Sequence, residues 1–310
     1  MDFKELTTVQ NYNDFFLDPR RANHHTFYYH YTRLGSVDNI FKENAFRLRN
    51  LAESSNDEGE KQHSAGEGEV LFSVCFATGT SENLPMWYLY SGADGKGGRL
   101  GLRKSDFIVL RNAKVSLAEV ENSPSHPLLE SPVPLGKDEY EITAHDVLYI
   151  GRDTANKGNL YRAKYCGDTN NKILEKTYQG IMQEGHLLTK GLIWFYEKET
   201  RIEVKVPKKM LKKPNGNYVV LLDLSDVIDR LSLRVAPEFS EPTEEVIGRY
   251  PNIKAWLATK IEKSDFAGEI NMNLTGKLCD DCPNKNRSGE SSHADSNKNQ
   301  RRKTNETLDY

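Results

Sequence analysis

The sequence has 310 residues, of which 42 are basic and 45 acidic, so the formal net charge at neutral pH is −3. A balance this even gives no global attraction to nucleic acid or to an anionic membrane, although a local basic groove stays open. Four cysteines in a chain of this length do not form a disulfide framework, and the first residues lack the apolar core of a signal peptide. We therefore expect a cytoplasmic protein with no membrane association.

The first half of the chain alternates short predicted strands with short predicted helices. Apolar and aromatic runs predict strands at 27–32, 45–49, 70–77, 99–103 and 114–120. Helices are predicted at 36–42, 84–91 and 105–110, and the second of these follows Pro85, a favourable residue in a first helical turn. The polar stretch 50–69 predicts a long surface loop.

The second half continues this mixture of elements. Strands are predicted at 147–151, 202–206, 218–222 and 233–235, and helices at 171–190, 225–231 and 241–259. The first half of the stretch 191–206 fits either a last helical turn or the start of a strand. Strands that look antiparallel, joined by short helices, favour an α+β fold over a doubly wound sheet. The sequence has no glycine-rich phosphate loop between a strand and a helix, which disfavours the Rossmann and P-loop folds.

The C-terminal segment is predicted to be disordered. Residues 283–310 are almost all polar and cannot bury enough apolar surface to offset the entropy cost of ordering. The predicted organisation is an N-terminal extension (1–26), an α+β domain (27–265), a peripheral segment (266–282) and this tail. The peripheral segment contains Cys279 and Cys282, but a zinc site of this form needs a second pair, so we expect no metal. Whether the tail binds a partner stays open.

Three groups of residues have side chains suited to chemistry, and each also has an ordinary structural explanation. His30 lies in an aromatic strand, where a histidine is usually a core or surface residue. Trp87 and Tyr90 have the spacing of packed helix residues, but their rings could also stack on a ligand. Glu197 and Glu199 point the same way if the backbone is extended, although such charge alternation is common on exposed faces.

The order of these motifs is more specific than any one of them. They are His30-Tyr31-Thr32, Asn56-Asp57-Glu58, Met86-Trp87 with Tyr90, and finally Lys190, Trp194, Glu197, Glu199 and Arg201. In this order they resemble the bacterial family known as domain of unknown function 2971. The likeness extends from about residue 27 to residue 257, and the family name implies no activity.

The same order is similar, more distantly, to the His–Tyr–Glu pattern of ADP-ribosyltransferases. This resemblance implies a split, mostly antiparallel sheet around a cleft, and NAD as the substrate. His30 would hold a ribose hydroxyl, Tyr90 would stack on nicotinamide, and Glu199 would be the catalytic carboxylate. Glu197 would orient the acceptor, as the first glutamate of a Glu-x-Glu pair does in arginine-modifying transferases.

The chemistry explains why such residues are suitable. Cleavage of the nicotinamide–ribose bond develops positive charge on the ribose, and a carboxylate stabilises that charge. Arg33 or Arg201 would grip the diphosphate, because a guanidinium matches its geometry. Three more residues would complete the NAD site: Tyr31, Thr32 and Trp87. We therefore expect an NAD-consuming transferase or glycohydrolase, suited to a toxin or a phage-defence effector, whose acceptor is water, protein or nucleic acid.

Two other interpretations of the sequence stay open. Four residues of the predicted loop could bind Mg²⁺ in a nuclease, since hard cations prefer clustered oxygen ligands: Asn56, Asp57, Glu58 and Glu60. The same loop could equally be a solvated turn. The chain could also be a non-catalytic binding or regulatory module. Under the NAD hypothesis, His30, Tyr90 and Glu199 should face one pocket.

Overall fold

The computed structural model describes residues 25–55, 68–79, 81–90, 96–122, 127–152, 160–165, 174–177, 189–213, 216–237, 248–253 and 261–266. All of these residues belong to the first of two compact units, Met1–Met272, and none belongs to the second, Asn273–Tyr310. Several sequence predictions also fall outside the described residues: most of the extension 1–26, the acidic loop residues, the C-x-x-C pair and the tail 283–310.

Short strands are the predominant secondary structure of the described residues. In chain order they are β1 (Phe27–Arg33), β2 (Ala45–Asn50), β3 (Glu69–Thr78), β4 (Gly97–Arg103), β5 (Val115–Glu119), β6 (Val133–Pro134), β7 (Glu141–Asp146), β8 (Leu148–Arg152), β9 (Leu160–Tyr165), β10 (Leu174–Thr177), β11 (Thr189–Gly191), β12 (Glu199–Pro207), β13 (Tyr218–Asp223), β14 (Ser232–Val235) and β15 (Ile261–Glu262).

The helices of the described residues are short. They are α1 (Leu34–Glu43), α2 (Leu51–Ser54), α3 (Leu84–Tyr90) and α4 (Lys104–Leu110), with 3-10 segments at Leu192–Glu197, Lys208–Met210 and Ile228–Arg230. Residues 248–249 and 251–253 are also helical. Helix α1 buries Leu34, Val37 and Ile40, whose spacing puts them on one face. It ends at Asn44, whose φ of 52° is a left-handed cap that asparagine tolerates.

The strands form two sheets. The larger has the order β15-β14-β4-β1-β3-β2-β13-β5-β6, with β12 also paired to β3, and β7 paired to β12. Its described pairings are antiparallel except for the parallel pair β14–β15. The smaller sheet has the order β10-β9-β8-β11, and β8–β11 is parallel. The predicted α+β class with a mostly antiparallel sheet is therefore confirmed.

The larger sheet forks at β3. Strand β12 occupies one edge of β3 from Glu69 to Ala77. The other edge is shared, because β1 pairs at Ala77 and Thr78 while β2 pairs at Phe72 and Ser73. From this fork, β1 leads to β4 and β14 on one side, and β2 leads to β13 and β5 on the other.

Strand β12 has two different faces: one packs into the main hydrophobic core, and the other, on the opposite side of the sheet, is charged. Its apolar residues enter the core: Ile202, Val204 and Val206. Its charged residues alternate with these and are also buried: Glu199, Arg201 and Glu203. We call the side of the sheet that carries them the charged face. Register places three residues of β3 on the same face: Ser73, Cys75 and Ala77.

The structure corrects two predicted helices. The helix predicted at 171–190 is wrong where residues are described, because Leu174–Thr177 is strand β10 and Thr189–Gly191 is strand β11. Pairing of β10 with β9 satisfies the backbone there and overrides the apolar spacing. The helix predicted at 225–231 is only a turn followed by the 3-10 segment Ile228–Arg230.

Candidate functional site

Two carboxylates from one short segment converge on a single lysine. Nζ of Lys190 lies 2.5 Å from Oε2 of Glu197 and 3.3 Å from Oε2 of Glu199. Between the glutamates the backbone turns, because the 3-10 segment ends at Glu197, Lys198 has a φ of 44°, and β12 begins at Glu199. A left-handed conformation is uncommon for a residue other than glycine. The convergence therefore depends on this turn rather than on an extended backbone.

Arg201 holds the second glutamate. Its Nε lies 2.6 Å from Oε1 of Glu199, and its Nη2 lies 3.0 Å from Oε2, so the contact is bidentate. Arg201 is 1% exposed and Glu199 3% exposed. We call the following four side chains the charge cluster: Lys190, Glu197, Glu199 and Arg201. The two positive and two negative charges of the cluster compensate one another, which burial requires.

The turn at Lys198 is held by hydrogen bonds from two neighbouring strands. The backbone N–H and the hydroxyl of Thr78 both donate to the Lys198 carbonyl, at 3.0 and 2.8 Å. The backbone N–H of Glu199 donates to the hydroxyl of Tyr149 at 2.9 Å. The Tyr149 ring in turn packs edge-on against Phe195, with centroids 5.3 Å apart. Glu199 is therefore fixed through its backbone as well as its carboxylate.

Helix α3 contributes Tyr90 to the site. The Tyr90 hydroxyl donates a hydrogen bond to Oε1 of Glu197. Directly before the helix, Nδ2 of Asn83 donates a hydrogen bond to the Tyr196 carbonyl at 2.6 Å. This is a second contact with the 3-10 segment that contains Glu197. The ring centroid of Trp194 lies 5.2 Å from the ammonium of the charge cluster, within cation–π range.

The two carboxyl groups have pKa values displaced in opposite directions. Burial and the charge of Glu199 raise the pKa of Glu197. Burial also acts to raise the pKa of Glu199, but the charges of Arg201 and Lys190 outweigh it and lower that pKa to about 2. For Lys190, burial is outweighed by the two carboxylates, which raise its pKa. Glu199 is thus ionised at neutral pH, and Glu197 is the carboxylate that takes a proton first.

Cys75 marks the place where the charge cluster meets the surface. Its side chain is exposed. It lies opposite Arg201 in the register, and its thiol is hydrogen-bonded to Glu199. Part of the residue is exposed, but protein atoms packed around the thiol desolvate it. This desolvation, followed by the charge of Glu199, raises the pKa of the thiol well above the ordinary value. Cys75 therefore donates to Glu199 as a neutral thiol and is not an activated nucleophile.

The structure does not bring His30 into the charge cluster. The His30 ring lies among core aromatics, with centroids 5.5 Å from Phe46 and 5.9 Å from Phe76. Its Nδ1 lies 2.9 Å from the backbone carbonyl oxygen of Cys75. Of the three residues expected to share a pocket, Tyr90 joins Glu199 in one group of side chains and His30 faces the core. The expected shared pocket is therefore wrong for His30, and any NAD chemistry at the charge cluster proceeds without it.

Trp87 and Tyr31 belong to a separate buried group. Their rings meet edge-on with centroids 4.9 Å apart, and Trp87 is fully buried. Nε1 of Trp87 donates to Glu82 at 2.8 Å, and the Tyr31 hydroxyl accepts the backbone N–H of Asn83 at 3.1 Å. These two aromatic residues thus attach α3 to β1.

Glu82 is a charged centre that the sequence does not reveal. Its carboxylate accepts hydrogen bonds from Arg234 at 2.6 Å, from the backbone N–H of Asp265 at 2.9 Å and from the Ser264 hydroxyl. Burial alone would raise the pKa of Glu82, but these hydrogen bonds lower it. These three partners are distant in sequence, so no local pattern signals this centre.

The remaining residues of the first motif lie at the end of β1. Thr32 is half-buried opposite Gly98 of β4, and Arg33 is exposed directly before α1. The charge cluster and its immediate contacts therefore gather only part of the predicted site: Tyr90, Glu197, Glu199 and Arg201.

The metal hypothesis concerns residues that the structure does not describe, namely Asn56–Glu60 and the pair Cys279 and Cys282. Within the described ranges, no group of three or more His, Cys, Asp or Glu side chains is placed to hold a metal ion. In the same ranges, no helix has the length and apolar character needed to cross a membrane.

Comparison with known proteins gives no match. No family model matches the sequence, and neither the curated proteins nor the solved structures include a similar one.

Proposed function

We propose that the charge cluster cleaves the nicotinamide–ribose bond of NAD. The pairing of Glu197 with Glu199 carries the proposal: both lie within 3.3 Å of one ammonium, and their pKa values are displaced in opposite directions. As nicotinamide leaves with the bonding electrons, positive charge develops on the ribose. A carboxylate that stays ionised stabilises this charge, and Glu199 has that property.

Glu197 acts on the acceptor. The acceptor forms a bond to C1′ of the ribose while the bond to the nicotinamide nitrogen breaks, and the proton of the acceptor passes to the Glu197 carboxylate. A carboxylate with a raised pKa is a better base for this transfer. The Tyr90 hydroxyl orients Glu197 through its hydrogen bond. Tyr90 is thus a positioning residue here, rather than a ring stacked on nicotinamide.

Substrate reaches the cluster beside Cys75, whose side chain is exposed while Glu199 is buried. The contact of Glu199 with Lys190, at 3.3 Å, is longer than its two contacts with Arg201, at 2.6 and 3.0 Å. A ribose hydroxyl would replace this contact and leave the bidentate pair with Arg201 intact. Arg201 therefore positions Glu199 in this proposal and does not grip the diphosphate.

The order of motifs supports the proposal. The late motif that resembles the domain of unknown function 2971 is Lys190, Trp194, Glu197, Glu199 and Arg201, and in the structure these residues contact one another. Motif residues that gather at a partly exposed site are candidates for chemistry. An activity of this kind would suit a toxin or a phage-defence effector.

The test is release of nicotinamide from NAD by the purified full chain, alone and with cell lysate as a source of acceptors. Glu199→Gln removes the charge and keeps the shape. Glu203→Gln is the matched control, because Glu203 is equally buried, at 3% exposed, on the charged face of β12. We expect release by wild type and by Glu203→Gln, and a loss of at least about a hundredfold in Glu199→Gln.

The products distinguish the two activities. Free ADP-ribose identifies a glycohydrolase, and ADP-ribose attached to a lysate macromolecule identifies a transferase. Absence of release by wild type under both conditions would contradict the proposal. Equal rates in the folded Glu199→Gln and Glu203→Gln proteins would also contradict it.

A further inference from the structure

Three arginines stand at the fork of the sheet. Arg49 of β2 pairs with Ser73 of β3, which places its side chain on the charged face. Arg47 lies two residues earlier in the same strand and shares that face. Arg33 ends β1, and alternation from Tyr29, which pairs with a charged-face residue of β3, places it on this side too. We call Arg33, Arg47 and Arg49 the arginine group.

The positive charge of the arginine group is only partly balanced. Arg47 is bonded to Glu43, with Nε 2.6 Å from the carboxylate. Across the described stretches of chain, neither Arg33 nor Arg49 forms an ion pair. Burial, followed by the charges of Arg47 and Arg33, lowers the pKa of Arg49, so the Arg49 guanidinium lies close enough to each of the other two to be repelled by it. An anion bound between Arg33 and Arg49 would relieve that repulsion.

The N-terminal end of α1 adds to the positive electrostatic potential of the arginine group. Helix α1 begins at Leu34, directly after Arg33, and has no side-chain cap and no acidic residue in its first turn. The N-terminal end of a helix carries a partial positive charge. This end therefore reinforces the arginine group, and no carboxylate in its own first turn opposes it.

The arginine group lies within reach of a ligand held at the charge cluster. Ser73, which pairs with Arg49, is two residues from Cys75 on the same face of β3, about 7 Å along the strand axis. The Cys75 thiol is hydrogen-bonded to Glu199. A dinucleotide with its glycosidic bond at Glu199 would extend its diphosphate toward Arg49.

We propose that Arg33 and Arg49, with Arg47 held beside them by Glu43, form a phosphate-binding subsite that takes the diphosphate of the dinucleotide. Guanidinium groups present paired N–H donors that match two phosphate oxygens. The preference of this subsite for a phosphate anion rests on the three arginines alone. The identity of the ligand as a dinucleotide rests on the proposed function.

The test measures binding of ADP to the full chain by isothermal titration calorimetry, with adenosine as the ligand that lacks phosphate. Arg33→Ala and Arg49→Ala should each weaken ADP binding by about tenfold or more, because each removes charge-assisted hydrogen bonds. Arg49→Lys should weaken it less than Arg49→Ala. Arg103→Ala is the matched control, since Arg103 is an exposed arginine that ends β4 directly before α4, as Arg33 ends β1 before α1. The Arg103→Ala protein should bind ADP with an affinity within about twofold of that of wild type.

The outcomes separate this subsite from the proposed activity. ADP binding that depends on Arg33 and Arg49 establishes the subsite even if NAD is not turned over. Equal ADP affinity in wild type, Arg33→Ala and Arg49→Ala would overturn it, as would failure of wild type to bind ADP or equal binding of adenosine and ADP. If both arginine variants turn over NAD with an unchanged KM, the proposed activity is supported and the phosphate-binding subsite is contradicted.

Discussion

Nδ1 of His30 lies 2.9 Å from the carbonyl oxygen of Cys75, at the fork of the larger sheet. Strand β1 pairs with β3 at Ala77 and β2 pairs at Ser73, so among the described strands no backbone neighbour faces Cys75 on that edge. A backbone carbonyl inside a protein needs a donor, and the imidazole N–H provides it when the proton is on Nδ1. His30 thus closes a gap in the sheet behind the residue whose thiol contacts Glu199.

Removing this ring should destabilise the protein. We expect His30→Ala to lower the free energy of unfolding by about 2 kcal/mol, because the Cys75 carbonyl loses its donor and the space beside Phe46 and Phe76 empties. Urea unfolding measures the change. Thr32→Ala, on the same strand, should cost less than about 1 kcal/mol. The folded His30→Ala protein should keep its nicotinamide release, and loss of release without loss of stability would argue that His30 contacts substrate.

His30 should also make stability depend on pH. Burial lowers its pKa in the folded state and outweighs the opposing hydrogen bond to Cys75. Below the ordinary value of about 6.5, the unfolded chain therefore binds more protons than the folded chain. The free energy of unfolding should fall as pH decreases through that value. Urea unfolding at about pH 7.5 and about pH 5.5 should show a smaller fall in His30→Gln than in wild type; an identical fall would exclude His30 as the cause.

The bidentate pair of Arg201 and Glu199 should be coupled in stability. Arg201→Leu removes the bidentate partner of a buried carboxylate, so we expect a loss of about 3–5 kcal/mol in the free energy of unfolding. Adding Glu199→Leu removes the uncompensated charge and should recover part of that loss. Urea unfolding of both single variants and the double variant gives the coupling energy. Simple additivity of the two single losses would show that the contact does not stabilise the fold.

Tyr90→Phe should shift the pH dependence of nicotinamide release. The Tyr90 hydroxyl stabilises the ionised form of Glu197, so its removal should raise the Glu197 pKa further. If Glu197 takes the acceptor's proton, the acidic limb of the pH–rate profile should move to higher pH in the variant, and the alkaline plateau should change less. An uniform loss of rate at every pH would assign Tyr90 a purely structural role.

Much of the fold could be predicted from local patterns. Alternation in β12 identified a strand with Ile202 and Val204 on one face and charged residues on the other, and the aromatic run after Pro85 identified α3. The residues 174–177 were misassigned because their conformation depends on pairing with β9, which local spacing does not encode.

The candidate site was less predictable, because its geometry depends on long-range register. Alternation along β1 predicts that His30 points to one face of the sheet and that Tyr29 and Tyr31 point to the other. It does not show which of the two faces carries the charged groups. The left-handed turn at Lys198 joins Glu197 to Glu199, and no glycine signals it. The contacts of Cys75 with both His30 and Glu199 arise only where three strands meet at the fork.

The most direct test of the central claim is the rate of nicotinamide release from saturating NAD by Glu199→Gln relative to wild type, with both proteins verified as folded by circular dichroism. If Glu199 stabilises the charge on the ribose, wild type releases nicotinamide and the variant is slower by at least about a hundredfold. Release at the wild-type rate by the folded variant would show that Glu199 only stabilises the structure and that the charge cluster is not catalytic.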